Sequence, residues 1–214
     1  MNTAIKLTRL LAYIGLGVCV AGLALKVNEI MNRPCKRDLS RPRGHVGRSV
    51  LYAFTLGMAP WEKESTRLHW LAYSRGVAFH IGVFAALALF FVSPWLAAVP
   101  LVITALSGLV TAVGAVAGFA GIGMRLKEEN LRVLSLPDDY ASVAVTSVFV
   151  LLAFVALLSP VTLPLFYVAA AVMFAYIPVG KIRHCLYFFY SKFFFGKGFG
   201  HRGVIHPPAS EYAE

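Results

Sequence analysis

The chain has 214 residues, of which 58% are hydrophobic and only 14% charged, with a formal net charge of +10 and a mean hydropathy of +0.71. Soluble domains carry about 25% charged residues, so the composition excludes a freely soluble enzyme and indicates a membrane protein. No nucleic-acid-binding module accompanies the basic charge, which leaves anionic lipid headgroups or a soluble protein as its counterpart.

At the amino-terminal end, Leu10 to Leu25 is free of charge and lies between Arg9 and Lys26, whose long stems can reach the interface. No small-residue cleavage site with a polar start follows it, so it reads as a retained helix over 8–27 rather than a signal peptide. A long basic loop follows over 28–75. Within it, "PWEKESTRLHWLAYSR" (60–75) is too polar for hydrocarbon and reads as an interfacial amphipathic helix that starts near Pro60.

Residues 76–124 and 140–180 contain no Asp, Glu, Lys or Arg. A helix crosses the ~30 Å hydrocarbon core with about 20 apolar residues, so each stretch holds two crossings. The turns between them fall at "SPWLAAVP" (93–100) and "LLSPVTLP" (157–164), where prolines end helices and Trp95 marks an interface. Helices are therefore predicted over 76–94, 99–124, 139–158 and 162–190, ahead of a tail at 191–214. The predicted fold class is all-α, a five-transmembrane-helix bundle.

Lys and Arg accumulate on the cytoplasmic side of membrane proteins. They are dense in 28–75, recur as Arg125, Lys127 and Arg132, and return after Lys181, whereas neither proline-marked turn carries one. This sets the amino terminus outside and the carboxyl terminus in the cytoplasm, against which only Lys6 and Arg9 weigh. Cys19, Cys35 and Cys185 form no CxxC pair, which argues against both an iron–sulfur motif and a disulfide framework. The glycine-rich "FFFGKGFGHRG" (193–203) follows a helix, which argues against a phosphate-binding loop.

On this topology His80 lies about one turn inside the second helix and His184 at a similar depth in the fifth, both toward the cytoplasm. An ionisable side chain at such a place is a functional candidate. The stretches "GVAFH" (76–80) and "GKIRH" (180–184) each put a glycine, Gly76 or Gly180, four residues before the histidine. On a helix this sets bare backbone beside the imidazole. Two neutral imidazoles facing bare backbone suit axial ligation of a b-type haem, with Arg75 and Arg183 among the cations near its propionates. Each histidine has a plainer reading, an interfacial residue bonded to a backbone carbonyl.

His69 precedes His80 by 11 residues, which is 20° from eclipsed on a continuous helix. It is open to three readings: ligand to a second haem with His201 or His206, contact to a quinone headgroup or propionate, or an interfacial histidine without special role. His45 and His206 read as solvated. Tyr73 and Tyr187 are further quinone candidates, with the aromatic belt of a membrane interface as their plainer alternative. No paired carboxylates and no nucleophile with its base stand out, so chemistry beyond electron and proton transfer is expected of a partner.

The segments "FHIG" (79–82) and "GKIRHCLYFF" (180–189), with the five-helix plan, resemble the gamma subunit of respiratory nitrate reductase and the cytochrome b subunits of heterodisulfide-reductase-type membrane complexes. The resemblance covers about residues 70–190. It implies haem b as cofactor, ligated by His80 and His184, a quinone as redox partner, a cytoplasmic iron–sulfur or other catalytic subunit, and a prokaryotic cytoplasmic membrane. Two-haem members carry a second ligand pair about ten residues after the first histidine and about eighteen before the last. Those positions are Phe90 and Phe166 here, so one haem is expected. The competing expectation is a haem-free anchor or assembly subunit.

Overall fold

The computed structural model describes residues 3–34 and 38–205. Cys35 and His206 lie outside the described residues, as do Lys36, Arg37 and the tail beyond 206. Among the described residues the structure is all-helical: α1 (Thr3–Met31), α2 (Val46–Phe54), α3 (Glu64–Leu68), α4 (Trp70–Val92), α5 (Leu101–Lys127), α6 (Glu129–Leu134), α7 (Pro137–Leu158), α8 (Leu163–Tyr176) and α9 (His184–His201), with short 3-10 turns between several of them. Four helical stretches are long and apolar enough to cross a membrane, and five if the broken pair Pro160–Tyr176 and Lys181–His201 counts as one span. The chain is thus built as a multi-pass integral membrane protein. It divides into two compact units, Met1–Lys26 with Leu71–Ile182 and Val27–Trp70 with Arg183–Glu214.

The first unit packs helices whose contact faces are lined by small residues. A Cβ added to Gly82 of α4 would lie 2.6 Å from the Gly114 Cα of α5, so the two backbones cross in direct contact. Gly15 of α1 meets the backbone of Ala171 in α8, and a Cβ there would sit 2.8 Å from its carbonyl oxygen. Lipid supplies little hydrophobic drive between helices, so close approach of this kind supplies the packing contacts instead. The core between these crossings is aromatic. Phe90 lies edge-on to Tyr13 and Phe174 with ring centroids 5.4 and 5.1 Å away, and Phe149 stacks on Phe166 at 5.3 Å. The Tyr167 hydroxyl is buried in this cluster and meets the Ser93 hydroxyl at 2.8 Å. That bond satisfies a polar group that hydrocarbon could not.

One rim of the first unit is polar. Asp139 accepts the Leu136 N–H at 2.8 Å, capping α7, and pairs with Lys181 at 2.6 Å. The Tyr176 hydroxyl donates to Asp138, and Arg125 donates to the Ser135 hydroxyl at 2.9 Å. Acids in the first turn of α7 and Arg125 with Lys127 in the last turn of α5 complement the two helix dipoles.

The second unit rests on α2 against α9. Gly196 and Gly200 form the contact: a Cβ on Gly196 would lie 2.5 Å from the Val50 Cα, and one on Gly200 would lie 2.6 Å from the Ser49 Cβ. The glycines of 193–203 are therefore a helix-packing face. α9 then ends in a Schellman motif, with Gly203 at φ +72°, its N–H on the Gly200 carbonyl and the Val204 N–H on the Phe199 carbonyl. Past that stop the segment from 38 to 49 is stitched to the end of α9. The Arg43 N–H donates to the His201 carbonyl at 2.8 Å, Arg202 pairs with Asp38 at 3.0 Å, and the Ser49 hydroxyl donates to the Ile205 carbonyl at 3.1 Å.

Asp38 accepts the Ser40 N–H, and that bond, aided by Arg202, holds its carboxyl well below the usual carboxylate range. A depressed carboxyl stabilises the fold above its ordinary pKa and loses that contribution as pH falls toward the folded value. Asp38→Ala is expected to speed amide exchange at Ser40 near neutral pH. In the unaltered chain, protection at Ser40 relative to the intrinsic exchange rate at each pH should be lost only on acidification below the ordinary carboxylate range.

Two sequence expectations are corrected. The helix expected over 162–190 is broken: α8 stops at Tyr176, a turn runs to Gly180, Lys181–Arg183 is a 3-10 turn, and α9 begins at His184. Pro178 supplies the reason, since it lacks an N–H and its ring cannot share space with the carbonyl four residues back. The 14 residues of α8 rise only about 21 Å, short of the hydrocarbon core. Residues 60–75 likewise form no single helix. Pro60–Glu62 is a 3-10 turn, α3 ends at Leu68, and the remainder from Trp70 is the first part of α4.

Candidate functional site

His80 lies near the middle of α4, in the first unit. Its Nδ1 is 2.7 Å from the Gly76 carbonyl oxygen. A carbonyl only accepts, so Nδ1 donates; in the neutral ring this leaves the lone pair on Nε2, the tautomer that an Nε2-ligating histidine needs. A Cβ added at Gly76 would meet nothing within 4 Å. Bare backbone therefore does lie beside this imidazole. Tyr73, seven residues earlier, is only about 20° away around the helix and shares its face; it is exposed, as is His80.

Arg75 departs from its expected place. Five residues before His80, it projects about 140° away on an ideal helix. Its Nη1 approaches the Ala117 carbonyl of α5 at 3.4 Å, and its guanidinium lies where a Gly121 Cβ would be. Among the described residues its buried Nε has no hydrogen-bond partner, and neither does the Ser147 hydroxyl that faces Gly118. Glycines 118 and 121 thus make room for polar side chains between α4, α5 and α7. The sequence signal was their spacing, with Gly114, along one face of α5.

His184 opens α9 in the second unit, with Arg183 as the residue before the helix. The match to "GVAFH" is in sequence only. Gly180 lies outside any helix, and the space its missing side chain would fill is taken by the Tyr176 ring. The expectation that it sets bare backbone beside His184 is therefore corrected, because the Pro178 break removes the helix on which that spacing relied. Tyr187 is three residues into α9 from His184, about 60° around the helix, and both are exposed.

The remaining candidates have local roles. His69 sits in the turn between α3 and α4, so the continuous helix that would align it with His80 does not exist. The Nε2 of His201 is 2.9 Å from the Ser40 carbonyl and donates to it, which sets this ring into the stitching of the second unit. Phe90 and Phe166 are buried in the aromatic core. Among the described residues no three His, Cys, Asp or Glu side chains gather around a common metal position; a bis-histidine haem requires only two imidazoles. No family model, curated protein or solved structure matches the chain.

Proposed function

We propose that the chain is the membrane electron-transfer subunit of a respiratory oxidoreductase, carrying one b-type haem and exchanging electrons between a membrane quinone and a cytoplasmic iron–sulfur partner subunit. The observation that carries this reading is the His80 ring, donating from Nδ1 to the Gly76 carbonyl and set beside open backbone in the charge-free run 76–124. A haem held there would supply one-electron chemistry at its iron. His80 and His184 would be its axial ligands, with Arg183 a cation for a propionate. Arg75 is not carried forward in that role, because it faces α5.

The packing of Phe90 and Phe166 supports one haem rather than two, since both positions are committed to aromatic contacts. Tyr73, on the face of His80, provides a hydroxyl for a quinone headgroup and its proton. The distribution of Lys and Arg supports an outside amino terminus, a cytoplasmic carboxyl terminus and a basic docking face in the cytoplasm, as in a prokaryotic inner-membrane protein. The second reading, a haem-free anchor or assembly subunit, is favoured by the loss of Gly180 from the ligand motif.

The quinone step is tested by reconstituting the purified chain in vesicles and adding a reduced naphthoquinone. The ferrous haem b spectrum is expected to appear, and to appear more slowly in Tyr73→Phe without loss of haem. A haem-containing chain that no quinol reduces would overturn the quinone assignment.

A further inference from the structure

We propose that the aromatic and basic surface of the second unit lies in the headgroup layer of one membrane leaflet and binds anionic phospholipid. The interior of this unit is small because α2 and α9 meet closely, Gly196 against the Val50 backbone and Gly200 against the Ser49 side chain. Its large apolar side chains are left outside: Trp61 and Trp70 are 64% and 61% exposed, and Phe189 is 60% exposed. Exposed aromatics of this size are disfavoured against water but are the residues that populate membrane interfaces.

The pieces that carry Trp61 and Phe189 are both held to α2. Tyr52 of α2 donates to Glu62 at 2.6 Å, which pins the turn bearing Trp61, and Phe54 of α2 contacts Phe188 and Phe189 of α9. The charge fits the same surroundings. Arg41, Arg43 and Arg48 are exposed, while Asp38, the only acid between Arg33 and Arg48, is already occupied by Ser40 and Arg202. α9 itself contains Lys192 and Lys197 and no acid. Cations beside exposed aromatics are the composition of helices that lie on anionic bilayers. The chain passes between the two units at 26–27, 70–71 and 182–183.

The test uses the full chain in nanodiscs of phosphatidylcholine with or without phosphatidylglycerol. Trp70→Phe with Trp95→Phe leaves Trp61 as the sole tryptophan, and lipids bearing a nitroxide near the headgroup or deep in the acyl chain report its depth. The shallow label is expected to quench Trp61 more than the deep one, and that quenching should weaken in high salt and in the triple variant Arg41→Gln, Arg43→Gln, Arg48→Gln. Quenching by neither label would mean a surface turned to water or to a soluble partner, and stronger quenching by the deep label would mean burial in hydrocarbon; either overturns the proposal. Thermal unfolding of the unsubstituted chain gives a second reading that needs no variant to fold. A melting temperature raised by phosphatidylglycerol and lowered again by salt supports the proposal, and one indifferent to phosphatidylglycerol contradicts it. Haem content, read in the same samples, keeps this outcome separate from that of the proposed electron transfer.

Discussion

His80→Ala and His184→Ala are each expected to yield a chain that inserts and folds but retains at most about a tenth of the haem b of the unsubstituted protein. Changes to groups that merely orient a metal ligand already cost 10–100-fold in affinity, so removing the ligand itself should cost at least the lower end of that range. The effect should be specific. His45→Ala, at an exposed position before α2, should leave the haem content unchanged. Pyridine haemochrome counts on detergent-purified chains, matched by monodispersity, check this. Equal haem in His80→Ala and in the unsubstituted chain would remove His80 from the ligand set.

Gly114→Leu should be the most damaging change outside the proposed ligands. The Gly82 and Gly114 backbones cross so closely that even a Cβ would lie 2.6 Å from the opposing Cα. Neither backbone can yield without moving its helix, and overpacking of this kind costs about 1–3 kcal/mol or more. Because α4 carries His80, haem content should fall with stability. Gly123→Leu is the control on the same helix, since a Cβ at Gly123 meets nothing within 4 Å. Thermal unfolding in detergent should show a clear loss for the first and little change for the second.

The spanning helices were legible because charge is a sharp signal in a membrane chain. The charge-free runs at 76–124 and 140–180 and the prolines at 94, 100, 160 and 164 placed α5 and α7 nearly to their ends, and α4 at its carboxyl end only, because its first turns, from Trp70 to Arg75, carry the charge that ended the run. The break at Pro178 was less visible. It lies in an uninterrupted apolar run, and hydropathy does not register a missing N–H. That omission carried the site with it, because the Gly180 to His184 spacing was read on a helix that stops at Tyr176. Gly76 and His80 were read correctly as neighbours for the opposite reason: no proline interrupts α4 between Trp70 and Val92.

Local spacing also assigned too much to Arg75. Being near His80 in sequence does not put a side chain on its face, and Gly121 of α5, which makes room for it, is 46 residues away. The same holds for α2. "VGRSVLYAF" (46–54) lay within what was read as a loop, yet its Ser49 and Ala53 are buried. Gly200, which meets Ser49, stands 151 residues later, in a segment read only as glycine-rich. Pairings between distant small residues leave no periodicity to detect, whereas runs without charge do.

The haem proposal stands or falls on a haem count for the unsubstituted, detergent-purified chain, with a reduced-minus-oxidised absorption spectrum on the same sample. One haem b per polypeptide with a low-spin spectrum is the predicted result. A well-folded preparation containing no haem would contradict it and leave the membrane anchor as the reading of this chain.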